Sequence, residues 1–594
     1  MTSAPTQREI DGLLALFGAG RYAELEQAAQ ELLRHAPAAG FAWKALGVAQ
    51  KLQGKDSLHA AREAARLLPG DAEAQLNLGA AQRDQGLLEE AVASYRQALD
   101  VNHSFVDAHS NLANVLGDLG RFDEAVLHCQ QAIGLAPDHA SAWVNLAYLL
   151  QRMGQTQGAI DAGRKAVALT PANASAHNNL ANALRDAGNT GEAETHYRQA
   201  LHLQPRHARA WLSLAALLTD TGRPAEAIVC CRKALDIEPR LAEAHNNLAD
   251  ACKEIQQFDA ALAAYERALA INPGHAQTHY NLSLLLLTLG RYEEAWPHHE
   301  WRTDAQRGNL AVRPPALDST LWRGESLARK HIVLCHEQGY GDTIQFIRYA
   351  PLLKRLGAAR VSLVCPAPLA PLMTRATGVD QVFDAYEAVP RHDLHALTMS
   401  LPHYLGTRMD NIPARLPYLS PDPQRVRQWG HALPEQGIKI GLAWKGNERH
   451  RNDANRSLPQ LDILAPLWQV QGVQFISVQK GRGEDEARAA SPHQPLVALG
   501  HTIADFADLA AVISQLDLIV TVDTAIAHLA GALGKLCWVL LPAYGTDWRW
   551  LREREDSPWY PGTMRLFRQR QAGDWRPVVE RLAAELELLA QTRR

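Results

Sequence analysis

A chain of 594 residues, 47% hydrophobic and 21% charged, is too long for one ordinary domain and apolar enough to bury several cores, so it is not a disordered tail protein. The formal net charge is -4 and no block of like charge stands out, which gives nucleic-acid binding no electrostatic support. Seven cysteines, an odd number in no metal-ligand spacing, point to a reducing, cytoplasmic setting without a structural metal.

Residues 1–11 are polar and lack the apolar stretch that a secretory leader needs. From there to about residue 305 one unit repeats. Glycines recur at Gly86, Gly120, Gly154, Gly188 and Gly222, each 34 residues after the last, with Gln256 in the next slot and Gly290 in the one after. Gly54 and Gly20 join the series after one two-residue deletion, and prolines keep the same beat at Pro137, Pro171, Pro205, Pro239 and Pro273. Such a period predicts a helix–turn–helix solenoid. Within one unit, residues 108–116 carry apolar side chains at helical spacing, Gly120 ends that helix, residues 123–133 form the second, and Pro137 stops it. Cys230 and Cys231 read as core residues of such a helix. The longest strongly apolar run, residues 282–289, is broken by Ser283 and Thr288 and is too short to span a bilayer.

The pattern resembles the tetratricopeptide repeat, and residues 43–47, Trp-Lys-Ala-Leu-Gly, keep that family's Trp-x-x-Leu-Gly start. About nine units are expected over residues 1–305. The resemblance implies a surface that binds something, usually a peptide, and it also allows assembly into oligomers. Asn77, Asn111, Asn145, Asn179, Asn247 and Asn281 share one register of the repeat, with Ser213 in the remaining slot. A side-chain amide offers both donor and acceptor, so a row of them suits clamping an extended backbone whatever its sequence. The row is similar to the asparagine ladder of O-linked N-acetylglucosamine transferases, which implies an acceptor protein or peptide in the repeat groove. The same residues would equally serve to tie adjacent helices together.

After a linker at 306–328, which contains the sequence Arg-Pro-Pro at 313–315, the period changes. Short apolar runs at 331–335, 361–365 and 381–383 alternate with helical stretches such as 343–355, and a second series occupies 438–444, 473–478, 516–522 and 536–541. This alternation predicts parallel sheets covered on both faces, in two Rossmann-like lobes at 329–430 and 431–594. The predicted fold class is therefore an α-solenoid followed by an α/β region of two lobes, the GT-B arrangement of glycosyltransferases, with ligands at the carboxyl ends of the strands.

Residues 338–344, Gln-Gly-Tyr-Gly-Asp-Thr-Ile, follow the first expected strand as the Gly-Asp turn does in heptosyltransferase-like enzymes of glycosyltransferase family nine. Residues 520–528, Val-Thr-Val-Asp-Thr-Ala-Ile-Ala-His, resemble their second signature, Asp-Thr-Gly-x-x-His, with Ala525 in place of the glycine. The resemblance covers roughly 330–570 and implies sugar transfer from a nucleotide-sugar co-substrate, with no other cofactor. It implies Asp342 as general base, with Glu337 and His336 in reserve; Asp342 with Gln345 also reads as a helix cap. It places Asp523, Thr524 and His528 at the diphosphate, where a helix N-terminus offers amides; Thr524 or Asp523 also suits an ordinary N-cap.

The loop at 444–451 carries Lys445, Arg449 and Arg451 and leads to Arg456 and Ser457. By analogy with the family, Lys445 or Arg456, and Ser457, meet the phosphates, although such a cluster also makes a solvated basic loop. The loop at 477–481 is placed to touch the nucleoside, and Trp548, Arg549 and Trp550 suit either facing a sugar or packing. No Asp-x-Asp motif occurs, so metal independence is expected. Together these readings predict a bacterial-type, cytoplasmic glycosyltransferase acting on a protein acceptor. The alternatives are a non-catalytic scaffold and a transferase for a glycan or lipid-linked acceptor; the absence of a basic amphipathic segment argues against the lipid.

Overall fold

The computed structural model describes residues 6–304, 312–450 and 452–592; Arg451, counted above among the loop cations, lies outside them. The chain forms two compact units, Met1–Leu248 and Ala249–Arg594.

The first unit is a solenoid of antiparallel helix pairs, such as Val106–Asp118 with Phe122–Leu135 and Ala174–Asp186 with Thr190–Leu203. Alanine columns let the helices approach closely. Ala91, Ala125, Ala159, Ala193 and Ala227 share one register, Ala98, Ala132, Ala166, Ala200 and Ala234 another, and all are fully buried. The repeat glycine turns the chain between the helices of a pair in the left-handed region, at φ 77° for Gly120 and 81° for Gly188. Ring N–H groups close the junction between one pair and the next. Trp43, Trp143 and Trp211 donate from Nε1 to the carbonyls of Pro37, Pro137 and Pro205 at 2.8–2.9 Å. His109, His177 and His245 do the same from Nε2 to His103, Pro171 and Pro239. Cys230 and Cys231 are buried in helix Pro224–Ile237, as their place in the repeat predicts.

The second unit begins inside the repeats. Helices Phe258–Ile271, Ala276–Thr288 and Tyr292–His299, with the 3-10 turn Glu300–Thr303, belong to this unit and pack on its α/β region. Gln256, in the glycine slot, holds φ +62°, and its Oε1 accepts from Arg552 Nη2 at 2.8 Å; the Arg552 guanidinium also lies 4.2 Å over Phe258.

The α/β region contains two parallel sheets. The first comprises β1 (Thr320–Leu321), β2 (His331–Cys335), β3 (Arg360–Val364), β4 (Gln381–Phe383) and β5 (Leu394–Leu397), in the order β1-β5-β2-β3-β4. The second comprises β6 (Ile438–Ala443), β7 (Val473–Ser477), β8 (Leu496–Ala498), β9 (Leu518–Val522), β10 (Cys537–Leu541) and β11 (Met564–Arg568), in the order β11-β10-β9-β6-β7-β8. Strands β9 and β10 are buried along their whole length, as a doubly covered parallel sheet requires. Strand order reverses between β2 and β5 and between β6 and β9, and a crevice opens at such switch points.

Two boundaries differ from the sequence expectation. Thr320–Leu321, inside the expected linker, pairs with β5. Helix Pro423–Gly430, expected to close the first lobe, packs on the second: Arg425 Nη1 reaches Asp505 at 2.6 Å and Asp508 at 2.8 Å, and Trp429 Nε1 donates to Asp508.

A buried ion pair joins the last repeat to the first sheet. Arg302, wholly buried, bonds Glu337 through Nε (2.9 Å) and Nη2 (3.1 Å), Ser400 Oγ through Nη2 (2.7 Å) and Glu300 through Nη1 (2.8 Å). The Met399 N–H donates to Glu337 at 2.7 Å. Beside it Tyr292, Trp296, Trp548 and Trp559 form one aromatic cluster with centroids 5.5–6.1 Å apart, and Trp296 Nε1 donates to the Thr407 carbonyl at 2.8 Å. Breaking one side of a buried pair leaves an uncompensated charge. Arg302→Met should therefore lower unfolding free energy by about 3–5 kcal/mol in urea titrations of the full chain, and the double variant Arg302→Met with Glu337→Leu should recover most of it.

Candidate functional site

The carboxyl ends of β2, β6, β7, β9 and β10 open on one cleft of about 920 Å3 between the two sheets. It contains Asp342, Lys445, Arg456, Asp523, Thr524 and His528 from the sequence set, together with Asp547 and Arg549.

The first-lobe wall is the turn after β2. Gln338 takes φ +59°, and Asp342 enters the helix Tyr340–Phe346 as a cap: its Oδ2 accepts the Gly339 N–H at 2.7 Å. Its Oδ1 is bound by Arg549 Nη2, from the other lobe. Burial raises the Asp342 carboxyl above the ordinary aspartate range, against the pull of Arg549 and of the Gly339 N–H. Gly341 has no room for a side chain, because a Cβ there would stand 2.8 Å from the His528 ring. The two reserve bases fare differently. Glu337 is buried against Arg302 and is removed from consideration, whereas His336 lines the cleft, bonds Thr343 Oγ through Nδ1 and is pushed down by burial.

The second-lobe wall starts at β9. Thr524 caps the helix Ala525–Ala532, accepting from Ile526 N–H at 3.3 Å. Asp523 beside it is raised first by burial and then by the neighbouring Asp547. His528 stacks on Trp550 at 5.3 Å and bonds the Tyr560 hydroxyl through Nδ1 at 2.9 Å. Burial, then the Arg549 charge, pushes His528 down to about 3, so it is neutral at ordinary pH. Asp547, after β10, is held below the usual range: burial alone would raise it, but the Arg549 guanidinium at 2.9–3.0 Å and backbone N–H outweigh that.

The loop after β6 is held from behind. Gln479 Oε1 accepts the N–H groups of Trp444 and Lys445 at 2.8 and 2.9 Å. The Lys445 ammonium is bound to Glu486, so its charge is already committed. Ser457 Oγ accepts the Gly446 N–H and donates to Asp453, both at 2.8 Å, and lies behind the cleft wall. Arg456 Nε lies 3.3 Å from Asp453 and faces the cleft with Arg449 and His450. Of the aromatic-cationic cluster, Trp548 and Trp550 are packing residues and Arg549 is a cleft residue. Sequence reading missed Asp547, for which the position just past an expected strand was the available signal. Among the described residues no group of three or more His, Cys, Asp or Glu could hold a metal ion, and no helix is long and apolar enough to cross a membrane.

The ladder asparagines are all half-buried on the first helices of their repeats. Asn145 Nδ2 donates to the Ser110 carbonyl at 3.1 Å and Asn179 Nδ2 to the Val144 carbonyl at 3.2 Å, each 35 residues back. Asn247 accepts from Asn246, and Asn281 donates to Asp250 and accepts from Gln277. Asn77 and Asn111 keep the same helical register.

Residues 110–174, 178–242 and 242–275, with 264–296, match tetratricopeptide repeat families, and 79–120 match a TPR repeat family. Residues 461–537 match glycosyltransferase family 9 (heptosyltransferase), a span that includes Asp523, Thr524 and His528. Protein FlbA of Caulobacter vibrioides is 31% identical over 338 residues, 51% of this chain and 54% of FlbA, so the chain spans about half the length of that curated relative. The APC/C hetero-tetramer Cut9–Hcn1 aligns at 17% identity over 47% of this chain and 55% of that one, with a TM-score of 0.40. TTC0263, a TPR protein of Thermus thermophilus, aligns at 24% identity over 31% of this chain and 99% of its own, with a TM-score of 0.28.

The His528 environment makes a pH prediction. The unfolded chain binds a proton on this ring below pH about 6.5, and the folded chain refuses it down to about 3. The stability that His528 contributes is thus present above pH 6.5 and lost as pH falls, at about 1.4 kcal/mol per unit. Urea midpoints of the wild type should fall more steeply between pH 6.5 and 4.5 than those of His528→Gln.

Proposed function

Because tetratricopeptide repeats lead in this chain to a glycosyltransferase family 9 (heptosyltransferase) domain, we propose that it moves a sugar from a nucleotide sugar to a protein acceptor held by the repeats, in a bacterial cytoplasm. The observation that carries this reading is the pairing of Asp342 on the first lobe with the Thr524-capped helix Ala525–Ala532 on the second, across one cleft at the carboxyl ends of two parallel sheets. That pairing supports a GT-B transferase. The donor's diphosphate lies at the N–H groups of that helix and at the Thr524 hydroxyl, beside the cleft cation Arg456. These fixed donors take the charge that builds on the leaving group, and the proposed reaction uses no metal and no further cofactor.

Asp342 is the base. The acceptor O–H gives its proton to the carboxylate, the oxygen bonds the anomeric carbon, and the bond from that carbon to the diphosphate breaks, with the electron pair leaving on the nucleoside diphosphate. Burial above the ordinary aspartate range makes the carboxylate a better proton acceptor than a solvated one. Lys445 and Ser457 shape the phosphate loop in this reading, because their polar groups are engaged by Glu486, Asp453 and Gly446. Buried cysteines without a disulfide fit a reducing compartment.

The full-length protein is incubated with UDP-, GDP-, ADP- and dTDP-linked hexoses, and nucleotide release and transfer to protein are measured. Asp342→Asn should keep donor binding and lower transfer by about 100-fold or more. Transfer at the parental rate would remove Asp342 as base, and failure of the wild type to bind any donor would favour the scaffold reading.

The acceptor arm has its own test. Asn179, Asn247 and Asn281 are replaced together by alanine. With each hydrogen bond contributing about 0.5–1.5 kcal/mol, acceptor affinity should fall roughly 10- to 1000-fold while donor hydrolysis is unchanged. A folded triple variant that glycosylates protein at the parental rate rules the arm out; loss of oligomeric state with acceptor affinity kept would instead make the repeats an assembly device.

A further inference from the structure

The cleft carries more carboxylates than its inner cation balances. Among the described residues Asp342 and Asp547 each form their ion pair with Arg549, while Asp523 faces the same space. One guanidinium therefore spans the cleft. Its Nη1 meets both oxygens of Asp547 at 2.9–3.0 Å on its own lobe, and its Nη2 and Nε bind Asp342 and Gln345 on the other. The side chain is 6% exposed and is held in place from below: its Cζ lies 4.5 Å over Trp548, which is wedged among Tyr292, Trp296 and Trp559.

We propose that Arg549 is a positioning residue for the transfer: it keeps the Asp342 carboxyl ionised and aimed, and Asp547 sets how much of the guanidinium charge Asp342 receives. The proposal rests on the reading of Asp342 as base. The geometry suits the task. A carboxylate has about four lone-pair sites, and the Gly339 N–H and Arg549 occupy two of them, which leaves capacity for an acceptor hydroxyl. A planar fork fixes direction as well as charge, which a lysine in its place would not.

The other charges facing this cluster are Glu337 behind the turn after β2, Asp523 after β9, Arg456 after β6, His450 in the loop after β6, and Arg348 on the helical segment that follows Asp342. His528 is neutral there, as derived above. All of them stay in place when position 549 or 547 is changed, so the shift between variants reports those two groups. Without Arg549, Asp342 sits in a buried site facing Asp547 and loses the cation bonded to it, and its proton affinity rises. Without the Asp547 charge, the guanidinium serves Asp342 alone and its proton affinity falls.

The test is the pH profile of kcat/KM for nucleotide-sugar hydrolysis and transfer by the full-length protein, with the donor that responds in the panel above. Arg549→Gln should move the acid limb up by about one unit or more, and Asp547→Asn should move it down. Arg549→Lys should leave the limb in place but lower kcat. A substrate-free arm uses urea unfolding at pH 8: Asp342→Asn should destabilise the wild type but stabilise Arg549→Gln, where it relieves repulsion. If Arg549→Gln does not fold, the downward shift in Asp547→Asn decides. Limbs that stay put in both variants, or a destabilising Asp342→Asn in both backgrounds, would overturn the proposal. An active Asp342→Asn would instead overturn the base assignment on which it rests.

Discussion

The buried pair of Arg302 and Glu337 is the constraint from which the α/β half of the molecule is built. Taking two charges out of water costs several kcal/mol per ion, so the pair persists only because every polar arm is occupied: Glu300 and Ser400 hold the guanidinium, and the Met399 N–H holds the carboxylate. Glu337 is the residue just before the turn that carries Asp342. The last turn of the repeats and the first-lobe wall of the cleft are therefore one rigid piece. The aromatic cluster makes the same connection to the second lobe, since Tyr292 and Trp296 support Trp548, on which the Arg549 guanidinium lies. This explains why the compact boundary falls at Leu248, inside the solenoid, and not where the repeat sequence ends.

Burial then sets the chemistry of the cleft. Removing water raises Asp342 and Asp523, holds His528 neutral, and strengthens each remaining charge interaction. Arg549 and Arg456 are the cations that such a site keeps for ligands and carboxylates alike. A neutral imidazole, fixed by Tyr560 and Trp550, adds polarity without adding a charge that would compete for the carboxylates. The steric counterpart is Gly341: a His528 ring pressed against a missing side chain is how the two lobes come close enough for one guanidinium to bridge them.

Much of this was legible in the sequence where a local signal exists. The 34-residue beat of glycine and proline reports backbone geometry, and the left-handed turns sit at those glycines. Strands β2, β3, β4, β6, β7, β9 and β10 coincide to within two residues with the short apolar-rich runs of the sequence. By contrast β8 has three residues and β1 two, and β5 and β11 are interrupted by His395 and by Arg565, so their partners in the sheet define them. The cleft motifs were legible because glycines and an N-cap mark strand ends. What no local pattern reveals is which cation meets which carboxylate. The sequence places Lys445 in a basic loop without showing Glu486, 41 residues on, and Arg549 in an aromatic-cationic cluster without showing Asp342, 207 residues away.

Of the two readings that its sequence allowed, the asparagine row displays the tie between adjacent helices. An amide that donates to a carbonyl of the preceding repeat, as Asn145 and Asn179 do, ties helix to helix. The same bond fixes the plane of the amide and turns a floppy side chain into a placed one. A side chain placed in this way offers its remaining polar sites without a fresh ordering cost, which is the general route by which preorganisation raises affinity. The donor half of the amide thus builds the wall of the solenoid. Asn281 departs from this, because Asp250 and Gln277 engage both halves of its amide.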